Sequence, residues 1–169
     1  MQIAADVNSG KIKLPDLDLE DDASYEAVWA LVDSGSSVHA VDVEKVMPGA
    51  KIRKPRRDAP GFRTACNGTV PDRGSTDVPF WSGEGNRHDI HWRNSPVAMP
   101  ILSTKLLALD NGELRYQAES GQVIHVHTGD QSAFVAASGV YFMKMYIRKE
   151  FTQSDPSQAA SQDFPRQGS

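Results

Sequence analysis

Asp33 is the side chain whose setting points most strongly to chemistry. It closes the apolar run Val28-Trp29-Ala30-Leu31-Val32 and is followed at once by Ser34-Gly35-Ser36-Ser37, small residues that suit a tight bend. Burying a lone carboxylate is costly unless it is hydrogen-bonded, paired or protonated, so packing alone gives no reason to keep one there. A carboxylate can act as general base toward water, but hydrolysis also needs a group that polarises the substrate carbonyl and supplies a proton. The sequence holds one Asp-Ser-Gly at the end of such a run. The economical second carboxylate is the same residue of a second copy, brought to the axis of a twofold homodimer, where two close carboxylates share one proton. The competing structural role is an Asp that caps its own turn, a common use before Ser-Gly.

Other residues offer rival chemistries. His88 and His91 are three apart, and His125 and His127 two apart, so each pair could aim at one metal ion. No CxxC or HExxH pattern accompanies them, and alternation on a strand produces such pairs without a ligand, so no metal or other cofactor is expected. Cys66, the single cysteine, lacks an identifiable orienting partner and reads as a small core residue, with no internal disulfide possible. Lys51-Ile52-Arg53-Lys54-Pro55-Arg56-Arg57 could contact phosphates, but a formal net charge of −4 argues against a nucleic-acid partner and favours a solvated loop.

The elements that must hold Asp33 read as strands. The run ending at Asp33 suits a strand buried on both faces, and Val38 to Val46 continues the apolar content to the breaker Met47-Pro48-Gly49. Phe62 to Cys66 with Asn67-Gly68 gives a hairpin signal, and Pro71-Asp72-Arg73-Gly74 a further turn. Val78 to Trp81 and Asp89 to Trp92 flank Ser82-Gly83-Glu84-Gly85-Asn86 as a second hairpin. Val97 to Ser103 is another apolar run ending in a small residue, followed by one helical segment, Thr104 to Leu109, capped at Ser103 or Thr104. Strands are then expected over Glu113–Ala118, Gln122–His127 and Gly139–Ile147, with a turn at Ser120-Gly121. Short strands at such intervals favour an all-β barrel or sandwich.

At 169 residues, 39% hydrophobic and 24% charged, the chain has the size and composition of one soluble domain. Residues 1–24 read as an acidic flexible segment, with Lys11-Ile12-Lys13-Leu14 a weak edge-strand signal; residues 25–148 form the domain, and 149–169 read as a disordered tail or linker. No apolar stretch is long enough to span a bilayer and no signal peptide is evident, which, with the cysteine usage, suggests an intracellular, cytoplasmic setting and no membrane partner.

The run Ala30-Leu31-Val32-Asp33-Ser34-Gly35-Ser36 resembles the signature of retropepsin-like aspartic proteases. The span from about Trp29 to Tyr146 resembles the protease region of copia-type retrotransposon polyproteins. The resemblance implies a mostly β, closed acid-protease barrel with one short helix. It implies Asp33 as the catalytic carboxylate, Ser34 as a hydroxyl bracing the two active-site loops across a homodimer, and Gly35 as the point of close backbone approach, with Ser36 completing the loop. The arm at Cys66, Asn67, Gly68 and Thr69 takes the place of the substrate-covering flap, and Ile101-Leu102-Ser103 that of the second apolar run of the core. Ser103-Thr104 departs from the Gly, then Arg or Asn, of viral members, and the arm lacks their glycine-rich tip. The implied function is an endopeptidase acting on polypeptide, including the polyprotein that would contain it. The alternative is a catalytically inactive interaction module derived from a transposable element.

Overall fold

The computed structural model describes residues 24–55, 61–64, 68–110 and 112–154. The expected edge strand at Lys11 to Leu14, the acidic segment, Cys66, Asn67 and the chain after residue 154 lie outside them.

The first strand, β1 (Tyr25–Asp33), is the spine of the molecule. Along its second half Ala30 and Val32 enter the main core, whereas Leu31 points the other way into a smaller cluster with Met99 and Phe142. Both faces are therefore covered, as the unbroken apolar run requires. On one side β1 pairs antiparallel with β13 (Val140–Arg148), Tyr25 opposite Arg148 through Val32 opposite Tyr141. On its other side it pairs in parallel with β9 (Ile101–Ser103), which sets Asp33 opposite Ser103.

The remaining strands extend from this pair. β2 (His39–Val41) lies beyond β9, followed by β8 (His91–Asn94) and β5 (Ser75–Asp77). On the opposite flank β10 (Gly112–Tyr116), β11 (Ser120–His125) and β12 (Gln131–Ala137) form a meander leading into β13. The hairpin β6 (Phe80–Trp81) and β7 (Arg87–His88) attaches to β13 through Trp81 and Tyr146. A separate two-stranded hairpin comprises β3 (Phe62–Thr64) and β4 (Gly68–Val70).

The architecture is mostly β, as expected, but the closed barrel is not: the 11-stranded mixed sheet is not closed by hydrogen bonds among the described residues. It curls instead around side chains drawn from both ends of the strand order. Trp92 of β8, Val123 of β11, Phe134 of β12 and Met143 of β13 share one buried core. Side chains tie the β6–β7 hairpin to β12: Asn86 Nδ2 donates to Gln131 O at 2.7 Å, and His88 Nε2 lies 2.8 Å from Ser132 Oγ.

The expected single helix is also corrected. Three short helices are described: α1 (Val43–Val46), α2 (Thr104–Leu109) and α3 (Lys149–Thr152). Only α2 has a side-chain cap. α1 and α3 are single turns held by packing, with Val43 and Met47 in the core, Phe151 against it, and Gly49 N–H donating to Phe151 O at 2.9 Å.

Two strand assignments shift. The partner of β6 is Arg87–His88, while His91–Asn94 turns away to pair with β2 and β5. Ser120-Gly121 is strand rather than turn, because Gly121 lies under the Phe134 ring, where a Cβ would collide with it. The true two-residue turn is Ser138-Gly139, at φ 51° and 78°, joining β12 to β13 as a tight hairpin needs.

Candidate active site

Asp33 emerges from the end of β1 only 7% exposed. Its two oxygens have different fates. Oδ1 accepts the Gly35 backbone N–H at 2.7 Å, the self-capping turn that the structural role demands. Oδ2 is buried and has no hydrogen-bond partner. No ion pair among the described residues involves Asp33. A buried carboxylate oxygen without donor or cation is energetically unfavourable, a feature that structural turns do not need.

The surrounding loop is tied down by serines. Ser34 and Gly35 are exposed, whereas Ser36 turns inward at 3% exposure. Ser36 Oγ donates to Val38 O at 2.6 Å, rigidifying the bend. Ser103, fully buried across from Asp33, donates its Oγ proton to Ser36 O at 2.8 Å and accepts Leu106 N–H at 3.3 Å, so one hydroxyl both holds the Asp33 loop and caps α2. Ile101 and Leu102 are fully buried and supply the apolar anchor of that strand. The structure thus brings together Asp33, Ser34, Gly35, Ser36, Ile101, Leu102 and Ser103, residues separated by some seventy positions in the chain.

His39, which sequence reasoning passed over, completes this floor. Its Nδ1 accepts the Ser103 backbone N–H at 3.0 Å, and its ring meets Trp92 edge-on with centroids 6.0 Å apart. Burial, reinforced by the neighbouring His91, lowers its pKa to about 4, so the ring is neutral at ordinary pH. The available signal was its place six residues after Asp33, as the one titratable side chain inside the apolar stretch Val38 to Val41.

The arm expected as a flap is a hairpin. β3 and β4 do pair, with Thr64 opposite Gly68 and Arg63 opposite Thr69, so Gly68 is a strand residue rather than part of the turn; Cys66 and Asn67 lie outside the described residues.

Elsewhere the histidines do other work. A cleft of about 920 Å³ is lined by His39, His88, His91 and His125, together with Val38 and Leu107; Asp33 does not line it. His88 stacks on Phe80 at 4.8 Å, and burial holds its pKa below the usual range. His91 Nδ1 lies 2.8 Å from Asp77 Oδ1, and Arg53, one of the cations of the basic run, is also paired with Asp77. No group of three or more metal-ligating side chains occurs among the described residues. No described helix is long and apolar enough to cross a membrane.

No protein-family model, no curated protein and no solved structure matches this chain.

Proposed function

We propose that this chain is one half of an aspartic endopeptidase, in which two copies of Asp33 meet at a twofold axis and hydrolyse peptide bonds. The observation that carries the reading is Asp33 Oδ2, oriented by the Oδ1 turn, buried and without a partner among the described residues. A second copy of the same carboxylate, with a shared proton and a water molecule between them, would satisfy that oxygen. One carboxylate takes a proton from water as its oxygen attacks the peptide carbonyl carbon. The other, protonated, hydrogen-bonds to the carbonyl oxygen and passes its proton there. Collapse of the tetrahedral diol then breaks the C–N bond as the nitrogen is protonated.

Further support comes from the strand arrangement. The second apolar run lies directly beside the first, and exposed Ser34 stands free to reach a partner subunit. An extended substrate would bind through main-chain hydrogen bonds with alternating side chains in pockets. Purified protein is expected to cleave an unstructured peptide library at mildly acid pH and to sediment as a dimer at micromolar concentration, with Asp33→Asn inactive. Full activity in Asp33→Asn sinks the mechanism.

The second reading, a catalytically silent interaction module, draws on the cleft, which is built beside the Asp33 loop and not over Asp33 itself. A strict monomer that cleaves nothing, with or without peptide, would favour it.

A further inference from the structure

We propose that His39 is a positioning residue for Asp33: its Nδ1, by accepting the Ser103 amide, fixes the end of the strand that lies against the carboxylate. This inference rests on the reading of Asp33 as the reacting group. β2 meets β9 through a single residue pair, Ala40 with Ile101, so the backbone ladder ends before it reaches Ser103. The side chain of His39 replaces the missing rung. Ser103 is in turn the residue in register with Asp33 and the hydroxyl donor to Ser36 O, so a single imidazole nitrogen anchors both strands of the floor and the loop that Gly35 and Ser36 form.

The chemistry of the ring follows from that bond. A backbone N–H pointing at Nδ1 requires a lone pair there, so the neutral ring carries its proton on Nε2. Nε2 has no partner among the described residues, and His39 lines the cleft. Trp92 braces the ring from β8. The titratable and charged groups that line the cleft with it are His91 and Arg93 on β8, Arg87, His88 and Asp89 before them, and Asp110, His125 and Asp130; of these, His91 acts on it through its charge, after burial. A proton added at Nδ1 would set two N–H groups against each other and release Ser103.

Two substitutions separate positioning from bulk. His39→Asn keeps an acceptor near the place of Nδ1, whereas His39→Gln moves it to the place of Nε2. Amide hydrogen exchange at Ser103 and at Gly35, the donor to Asp33 Oδ1, is to be followed by NMR at neutral pH, alongside kcat and KM for peptide cleavage. His39→Gln is expected to speed exchange at both amides by about 10-fold and to lower kcat by about 10-fold with KM within about 2-fold, while His39→Asn stays close to the parent protein. Equal behaviour of the two variants, or faster exchange at Ser103 with Gly35 unmoved, overturns the proposal. If neither variant folds, the parent protein decides: the Ser103 amide resonance must move with the His39 ring titration near pH 4, and a stationary Ser103 overturns the inference. A parent protein that cleaves no peptide refutes the protease reading, and the amide measurements still decide whether His39 holds the Asp33 loop.

Discussion

Two aspartates show how position changes what a carboxylate does. Asp77, at the end of β5, is 57% exposed at its side chain and meets both Arg53 and His91. Asp33, at the end of β1, is buried and, among the described residues, meets no cation and leaves one oxygen unbonded. Both residues end a strand in the same sheet. At Asp77 the negative charge is matched by neighbours in high-dielectric surroundings, where such pairs contribute little. At Asp33 the fold accepts an unfavourable oxygen and holds it beside a loop fixed by the Ser36 and Ser103 hydroxyls. The contrast teaches that an ion-paired carboxylate accounts for itself, whereas the rigidly held one at Asp33, on which the proposed dimer rests, is left without that compensation among the described residues.

The comparison breaks most visibly at Asp33. Asp33→Asn retains an oxygen for the Gly35 N–H and removes the charge, so cleavage should fall by at least roughly 10²-fold, the scale of acid–base catalysis. Its unfolding free energy should stay equal or rise, because the buried unpaired charge is gone. Parallel peptide assays and urea denaturation check both halves, and an Asn variant that is much less stable would assign Asp33 a structural role.

Acid should weaken the Asp33 floor before the Asp77 rim. His39 has its pKa lowered from 6.5 to about 4, so the unfolded chain takes up a proton that the folded one refuses. Stability is therefore intact above pH 6.5 and declines as pH falls toward 4, with a total loss of about 3 kcal/mol from this group. Denaturation midpoints at successive pH values, compared with those of His39→Asn, isolate it: the variant should show a shallower decline.

Ser103→Ala removes the donor to Ser36 O and the α2 cap together, and should cost about 1–3 kcal/mol while lowering kcat more than it raises KM. At the other aspartate, Asp77→Asn should change stability by less than about 1 kcal/mol and leave cleavage unaltered. Thermal unfolding and kinetics on the two variants give the ranking, and a larger loss at Asp77 would reverse the comparison.

The parts of this site carried by local pattern were legible in the sequence. The apolar run before Asp33, the bend after it, and the Ser103 cap of α2 each depend on residues within a few positions of one another. What depends on distant pairing was not. No periodicity reveals that β9 inserts between β1 and β2, or that His39 would take the Ser103 amide. β12 escaped notice because Ser132, Ala133, Ala136 and Ala137 give weak strand contrast, although Ser132 and Phe134 do alternate inward. The barrel expectation failed for a similar reason: closure is a matter of whether the last strands find backbone partners, and among the described residues β10 and β5 end the order without pairing. That Arg53 of the basic run pairs with Asp77 beside His91 was likewise hidden by their distance in sequence.

The central claim is that chemistry requires Asp33 from two copies, and mixing tests it most directly. Parent protein and Asp33→Asn are combined at constant total concentration, re-equilibrated through the monomer, and assayed for peptide cleavage at mildly acid pH. If two Asp33 carboxylates are needed, activity follows the square of the parent fraction, and an equimolar mixture retains about a quarter of the full rate. A decline in simple proportion to the parent fraction would mean that each chain acts alone, and would contradict the account.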